Sequence, residues 1–394
     1  MKTLINGRLI LPDKNDFKIC AGALNFDDKI ISIGEPEDGA EIIDAAGAYV
    51  APGFINIHIH GAAGVDTMDD DLNALQRLSD FLPSTGVTSF LPTTMTMPIK
   101  KIHGALERVR AGKNFSHGAK ILGAHVEGPF ISKKFCGAQD TKYIIPADFA
   151  LIEDFADVIK IITVAPETAM RNAQGVMRNE LVPSSQSPVP NFIDRCGKAG
   201  IVVSIGHSAA TYEIAMAAIE RGAIHITHLF NAQTPFRHRE PGVVGAAFDS
   251  DAKVELIADN VHVCPAAQRI VAKVKPRSQI ILITDSLRAC GLGDGVSELG
   301  GQKVFVNGNF ATLADGRLVG SVATLNNVLK NFCANTGLDV AAGVELVTKN
   351  PCVELKIFDR VGSLEVGKVA DITIFDDDFN IKKTFVNGAE SFTQ

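Results

Sequence analysis

The sequence has no tryptophan and only three tyrosines. Long polysaccharide chains are usually gripped on such aromatic platforms, so their scarcity points to a small substrate. The seven cysteines (Cys20, Cys136, Cys196, Cys264, Cys290, Cys333 and Cys352) are odd in number, widely scattered and form no CxxC pair. That argues against a disulfide frame and for reduced thiols in a cytoplasm. There is no basic tract, and the net charge is −7. That argues against a nucleic-acid groove, because phosphate contacts need clustered Lys and Arg, and leaves room for a locally basic pocket. No apolar run approaches membrane-spanning length, and the opening "MKTLINGRLILPD" lacks the apolar core of a signal peptide. The expectation is a cytoplasmic protein with no membrane partner.

What is present is ample apolar material, 46% of 394 residues, enough for one large barrel and an appendage. Eight short apolar runs recur: "GFINIHIH", "GVTSFLPTT", "AKILGAHVEG", "VIKIITVAPE", "GIVVSIGHS", "AIHITHLFN", "KVELIADNVHV" and "SQIILITDS". Most are β-branched and bounded by Gly or polar residues, as buried parallel strands should be. Helical patterns lie between several of them. "DLNALQRLSDFLPSTG" spaces Leu72, Leu75, Leu78 and Leu82 for a helix and stops at Gly86, and "ATYEIAMAAIERG" stops at Gly222. Eight strand–helix units predict an α/β fold, a (β/α)8 TIM-type barrel over residues 52–359. Residues 1–51 and 360–394 read as short strands and turns, and "ADITIF" alternates. The two ends are expected to join in a small β-sandwich domain. The long Gly-rich segment after "ITDS" breaks the rhythm and reads as a functional loop with room for a small hairpin.

Polar residues end the runs. His58 and His60 are two apart, so on a strand they face one way, toward the barrel mouth where such folds carry their sites. HxH by itself is a weak signal. Glu127, His207, His228 and Asp285 close four further runs, and convergence of five strands on one rim is what a metal-dependent hydrolase needs. Glu127, His207 and His228 form an O,N,N set suited to Zn²⁺ or Fe²⁺, with His58 and His60 available for a second position. Metal-activated water would attack, with Asp285 as general base and then acid. His125 and His225 read as supporting or structural groups, and His103 and His117 as surface residues. "GHSAA" is not a GxSxG elbow, so serine hydrolysis has little support.

These residues, in this order, resemble the amidohydrolase superfamily. "HVEGPFIS", "GHSAAT", "THLFNAQTPFRHREPG", "IADNVHV" and "ITDSLRACGLGDG" are similar to the motifs of the N-acetylglucosamine-6-phosphate deacetylases, and the resemblance spans nearly the whole chain. It implies hydrolysis of the acetamide of an amino-sugar phosphate to glucosamine 6-phosphate and acetate. It implies one or two divalent metals per subunit, the main one on Glu127, His207 and His228, and Asp285 as the acid/base. It also implies substrate contacts from Asn231, the Ala232 backbone, Arg239 and His262, and a homodimer in which the arginine can come from the neighbouring subunit. Gln139 stands where other members carry a histidine near the substrate. It is expected to donate to the sugar or carbonyl and cannot serve as an acid. Gln233 replaces a common Met, which leaves N-acetylgalactosamine 6-phosphate open as a substrate. Relatives that use a carboxylated lysine on strand four fit poorly, because Lys160 begins its strand rather than ending it. A barrel scaffold without metal, or a sugar-phosphate sensor, would be the non-catalytic alternatives.

Overall fold

A strand buried on both faces must be apolar on both, and "FINIHI" is buried at all six positions. The computed structural model of the chain describes residues 1–14, 16–169 and 192–394. In it the eight apolar runs are eight parallel barrel strands: β1 (Phe54–Ile59), β2 (Val87–Thr94), β3 (Ala124–Glu127), β4 (Ile159–Val164), β5 (Val202–Ile205), β6 (His225–Ile226), β7 (Lys253–Leu256) and β8 (Ile280–Leu282). Each pairs with its sequence neighbour from β1 through β8. Closure comes just past the strand ends. Asp285 N–H donates to His58 O (3.0 Å), and His60 and Gly61 N–H both donate to Ser286 O (2.9 and 3.0 Å). That seam sets the last run of the barrel against the first.

Helices cover the barrel as the apolar spacing expects, with one change of register. The helix Leu72–Phe81 starts at Asp71, whose side chain accepts from Asn73 N–H, and it buries Ala74, Leu75 and Leu78. Leu72 faces out, and Leu82 falls in a following 3₁₀ turn that ends at Gly86 with φ 79°. Buried Leu75 and Leu78 stabilise the helix–barrel contact by about 1.5–3 kcal/mol each, and Leu78→Ala would undo most of it. The helix Tyr212–Glu220 stops before Gly222, whose φ is 114°.

The two ends of the chain share one sheet of six strands, in the order Ala389–Thr393, Ile381–Val386, Ile372–Phe375, Tyr49–Pro52, Arg8–Asp13 and Asp16–Cys20. A second, four-stranded sheet comes from residues 2–44. Leu4, Leu24 and Phe26 from that sheet pack with Val50, Ile372 and Phe385 from the other in one apolar layer. The Gly-rich segment after Asp285 forms a three-stranded sheet of Gly295–Leu299, Gln302–Asn307 and Phe310–Thr312. It leans on the loop after β3: Gln302 donates to Ala138 O (2.8 Å) and Arg317 to Gly137 O (2.9 Å). Among the described residues, no helix is long and apolar enough to cross a membrane.

Candidate metal centre

The C-terminal ends of the strands deliver the polar residues. Glu127 is the last residue of β3, and His58 lies within β1 with His60 just beyond it. His207, His228 and Asp285 each sit past a strand end with positive φ, 46°, 29° and 50°. Such φ values are uncommon for residues with a Cβ and cluster where surrounding structure holds a side chain in a required direction. Gly206 allows the turn before His207, because a Cβ there would meet Thr163 and Thr227 at 2.7 Å.

Three donor atoms crowd together. Glu127 Oε1 is 3.2 Å from His207 Nε2 and 3.0 Å from His228 Nε2, and the two Nε2 atoms are 3.1 Å apart. Two imidazole lone pairs at that distance repel unless a proton or a cation lies between them. A tetrahedral metal with N and O ligands at its usual distances spaces them roughly 3.3 Å apart. The set fits a divalent metal with little movement. Glu127 Oε2 turns to His60 Nε2 (3.2 Å), and Asp285 Oδ1 lies 3.2 Å from His60 Nε2 and 3.4 Å from His58 Nε2. His58 Nε2 is buried with no hydrogen-bond partner among the described residues, a further sign of a place for a cation. His58, His60 and Glu127 therefore offer a second position. A third grouping, His58, His125 and Glu255, fits less well. Both ring nitrogens of His125 are engaged, Nδ1 with Ile57 O (3.0 Å) and Nε2 with Thr163 Oγ1 (2.7 Å).

The electrostatics match. Burial by itself would raise the Glu127 pKa, but the fields of His207 and His58 and hydrogen bonds from His207 and His228 hold it well below the usual range. Burial also opposes ionisation of Asp285, and His58 and His60 overcome it, so this carboxyl too lies below its ordinary value. Without metal, His228 reaches about 9 despite its burial, through Glu127 and Asp285. His125 goes the other way, to about 3, through burial and its neighbour His58.

Other residues singled out in the sequence fall in several places. Gln139 is buried, but its amide is taken up beside the carboxylate: Nε2 donates to Glu127 Oε2 (2.7 Å) and Oε1 accepts from Thr96 N–H (2.7 Å). It steadies the candidate ligand Glu127 rather than facing open space. His262 donates Nδ1–H to Asp259 Oδ2 (2.7 Å). Asn231 donates to His228 O and Leu229 O (both 3.3 Å), and Ala232 has φ 49°. Arg239 is exposed on the loop after His228. Lys160 donates to Asp157 O at the opposite end of β4, away from the mouth. His117 is exposed beside Asp80, whereas His103 is half-buried, bonded to Leu151 O (2.7 Å).

Two acids escaped the sequence reading. Glu255 in β7 and Glu354 are buried, and His225 bridges them, Nε2 to Glu255 Oε1 (3.1 Å) and Nδ1 to Glu354 Oε1 (3.0 Å). For Glu255 the available signal was a single carboxylate inside the apolar run "KVELIA".

Comparison with known proteins gives the family and the fold. The amidohydrolase family matches residues 49–390. The chain is 39% identical over 361 residues to N-acetylglucosamine-6-phosphate deacetylase of Bacillus subtilis (strain 168), covering 89% of this chain and 87% of the relative. It is 31% identical over 371 residues to N-acetylgalactosamine-6-phosphate deacetylase of Escherichia coli O157:H7, covering 93% of each. The crystal structure of N-acetylglucosamine-6-phosphate deacetylase from Pasteurella multocida superposes with a TM-score of 0.88 at 30% identity, over 99% of both chains.

Proposed function

The chain belongs to the amidohydrolase family and is a hydrolase acting on an amide, and from that premise we propose that it hydrolyses the acetamide of N-acetylglucosamine 6-phosphate to glucosamine 6-phosphate and acetate. The observation that carries the reading is the packing of Glu127 Oε1, His207 Nε2 and His228 Nε2 within 3.2 Å of one another, with Asp285 beside them. Glu127, His207 and His228 would hold a divalent metal, Zn²⁺ or Fe²⁺, with His58 and His60 able to hold a second. Such a metal polarises the acyl carbonyl and eases deprotonation of water.

The chain's own residues do the rest. Asp285 is ionised at neutral pH and takes the proton from the attacking water. It then returns that proton to the sugar nitrogen as the C–N bond breaks, which lets the amine leave. His262, its ring fixed by Asp259, and Arg239 suit the dianionic phosphate. Asn231 and the Ala232 backbone, next to His228, would meet the sugar. Arg239 is exposed on its own chain; as the family resemblance implies, it would reach the site of the neighbouring subunit in a homodimer. Gln139 keeps Glu127 in place through its amide.

N-acetylgalactosamine 6-phosphate is the second reading, favoured by the 31% identity to a deacetylase of that name. The test is kcat/KM for acetate release from the two sugar phosphates and from unphosphorylated N-acetylglucosamine. The glucosamine epimer should lead and the unphosphorylated sugar trail. A lead for the galactosamine epimer would replace the substrate, and indifference to the phosphate would remove the roles of His262 and Arg239.

A further inference from the structure

A carboxylate inside a barrel is expensive, since burying a charge costs several kcal/mol unless hydrogen bonds and counter-charges offset it. Glu255 is fully buried in β7, where its register partner on β8 is Ile281. Its Oε2 accepts from His58 Nδ1–H at 2.8 Å and from the backbone N–H of His228 at 3.2 Å. Its Oε1 accepts from His225 Nε2–H, and His225 is anchored in turn by Glu354, which pairs with Lys253. The line from Lys253 through Glu354, His225 and Glu255 thus ends on two residues of the metal centre. The mechanism above uses none of these four.

We propose that Glu255 is a positioning residue for His58: by taking the Nδ1 proton as a hydrogen bond, it turns the Nε2 lone pair to the mouth as a metal ligand. An imidazole has two neutral tautomers, and only the one protonated at Nδ1 can ligate through Nε2. The His125 ring, 4.5 Å from the His58 ring, limits reorientation of the imidazole. What then selects the tautomer is the acceptor at Nδ1, and Glu255 is that acceptor. The same carboxylate oxygen holds the His228 backbone where its φ is 29°. Carboxylate support of this kind typically changes metal affinity 10–100-fold. The inference rests on the metal-dependent reading but not on the substrate.

The experiment titrates Zn²⁺ against a competing chelator, with metal per chain counted, in the wild type, Glu255→Ala and Glu255→Gln. No substrate is present, so a wrong choice of amino sugar would leave the result intact. Glu255→Ala should weaken Zn²⁺ uptake about 10–100-fold. Glu255→Gln should lose less than about tenfold, because its carbonyl oxygen can accept the same His58 proton. Its amide nitrogen would then face His225, which can accept through Nε2 while donating Nδ1–H to Glu354. Wild-type uptake in Glu255→Ala, or equal loss in both variants, would overturn the orienting role. Should Glu255→Ala not fold, nitrogen NMR of histidine-labelled, Zn²⁺-loaded wild type decides. A proton on His58 Nδ1 with a Zn²⁺-shifted Nε2 supports the proposal, and a proton on Nε2 overturns it.

Discussion

Replacing Asp285 by Asn tests the acid/base assignment with little structural disturbance. The backbone at Asp285 is pinned on both sides: its N–H donates to His58 O (3.0 Å) and its C=O accepts from Ser321 N–H (2.8 Å). Its φ of 50° is one that Asn tolerates well. The amide matches the carboxylate in size and keeps an oxygen for His60 Nε2, 3.2 Å away. What is lost is the capacity to take a proton. A positioned general base contributes about 10²–10⁴-fold, which at 1.36 kcal/mol per decade is about 3–5 kcal/mol of barrier. The assay is steady-state acetate release together with metal content. Asp285→Asn should lower kcat by that factor, leave KM within a few-fold and keep the metal on Glu127, His207 and His228. A rate within tenfold of wild type with full metal would refute the assignment. Rate loss that tracked metal loss would make Asp285 a ligand instead.

Three further outcomes are expected. His262→Ala should raise KM for the phosphorylated sugar about 10–100-fold, the worth of a charge-assisted hydrogen bond, while leaving unphosphorylated N-acetylglucosamine unaffected. An equal loss on both substrates would count against phosphate contact. Gln139→Leu removes the donor to Glu127 Oε2 and should weaken Zn²⁺ binding about tenfold or more, read by chelator competition. Unchanged affinity would return Gln139 to a substrate-facing role. For pH, burial by itself would lower the His225 pKa, yet hydrogen bonds to Glu255 and Glu354 raise it from 6.5 to about 9. The folded state then holds the proton more tightly, so this stabilisation is full below about pH 6.5 and is lost as pH rises through about 9. The melting temperature of metal-free protein should fall across that window, and His225→Gln should show a shallower fall. Equal slopes in both proteins would exclude His225 as the source.

Much of the architecture was legible because most barrel strands come from β-branched runs bounded by Gly or polar residues. The rim was legible because each candidate ligand closes such a run, as Glu127 closes "AHVE". Support for the rim was not. Glu255 and His58 are 197 residues apart in sequence, and their 2.8 Å contact exists only once β1 and β7 face one interior. Within "KVEL" a lone acid reads as an ordinary outward residue of a strand, and nothing local says that it points inward. Gln139 was visible as a polar residue near the mouth, but whether its amide met substrate or Glu127 depended on where Thr96 N–H lay. Leu72 shows the limit of helical spacing, since it continues the apolar stripe yet faces solvent before the first full turn. Arg239 and His262 gained meaning only from the family motifs, because a surface arginine and a histidine beside an aspartate are commonplace.

The most direct test of the account is acetate release from N-acetylglucosamine 6-phosphate by purified protein, with metal determined on the same sample before and after chelation. The account predicts turnover that rises with bound divalent metal, disappears when a chelator strips it, and returns on adding Zn²⁺ or Fe²⁺. Turnover that survives complete removal of metal would contradict it, as would full metal occupancy with no acetate released.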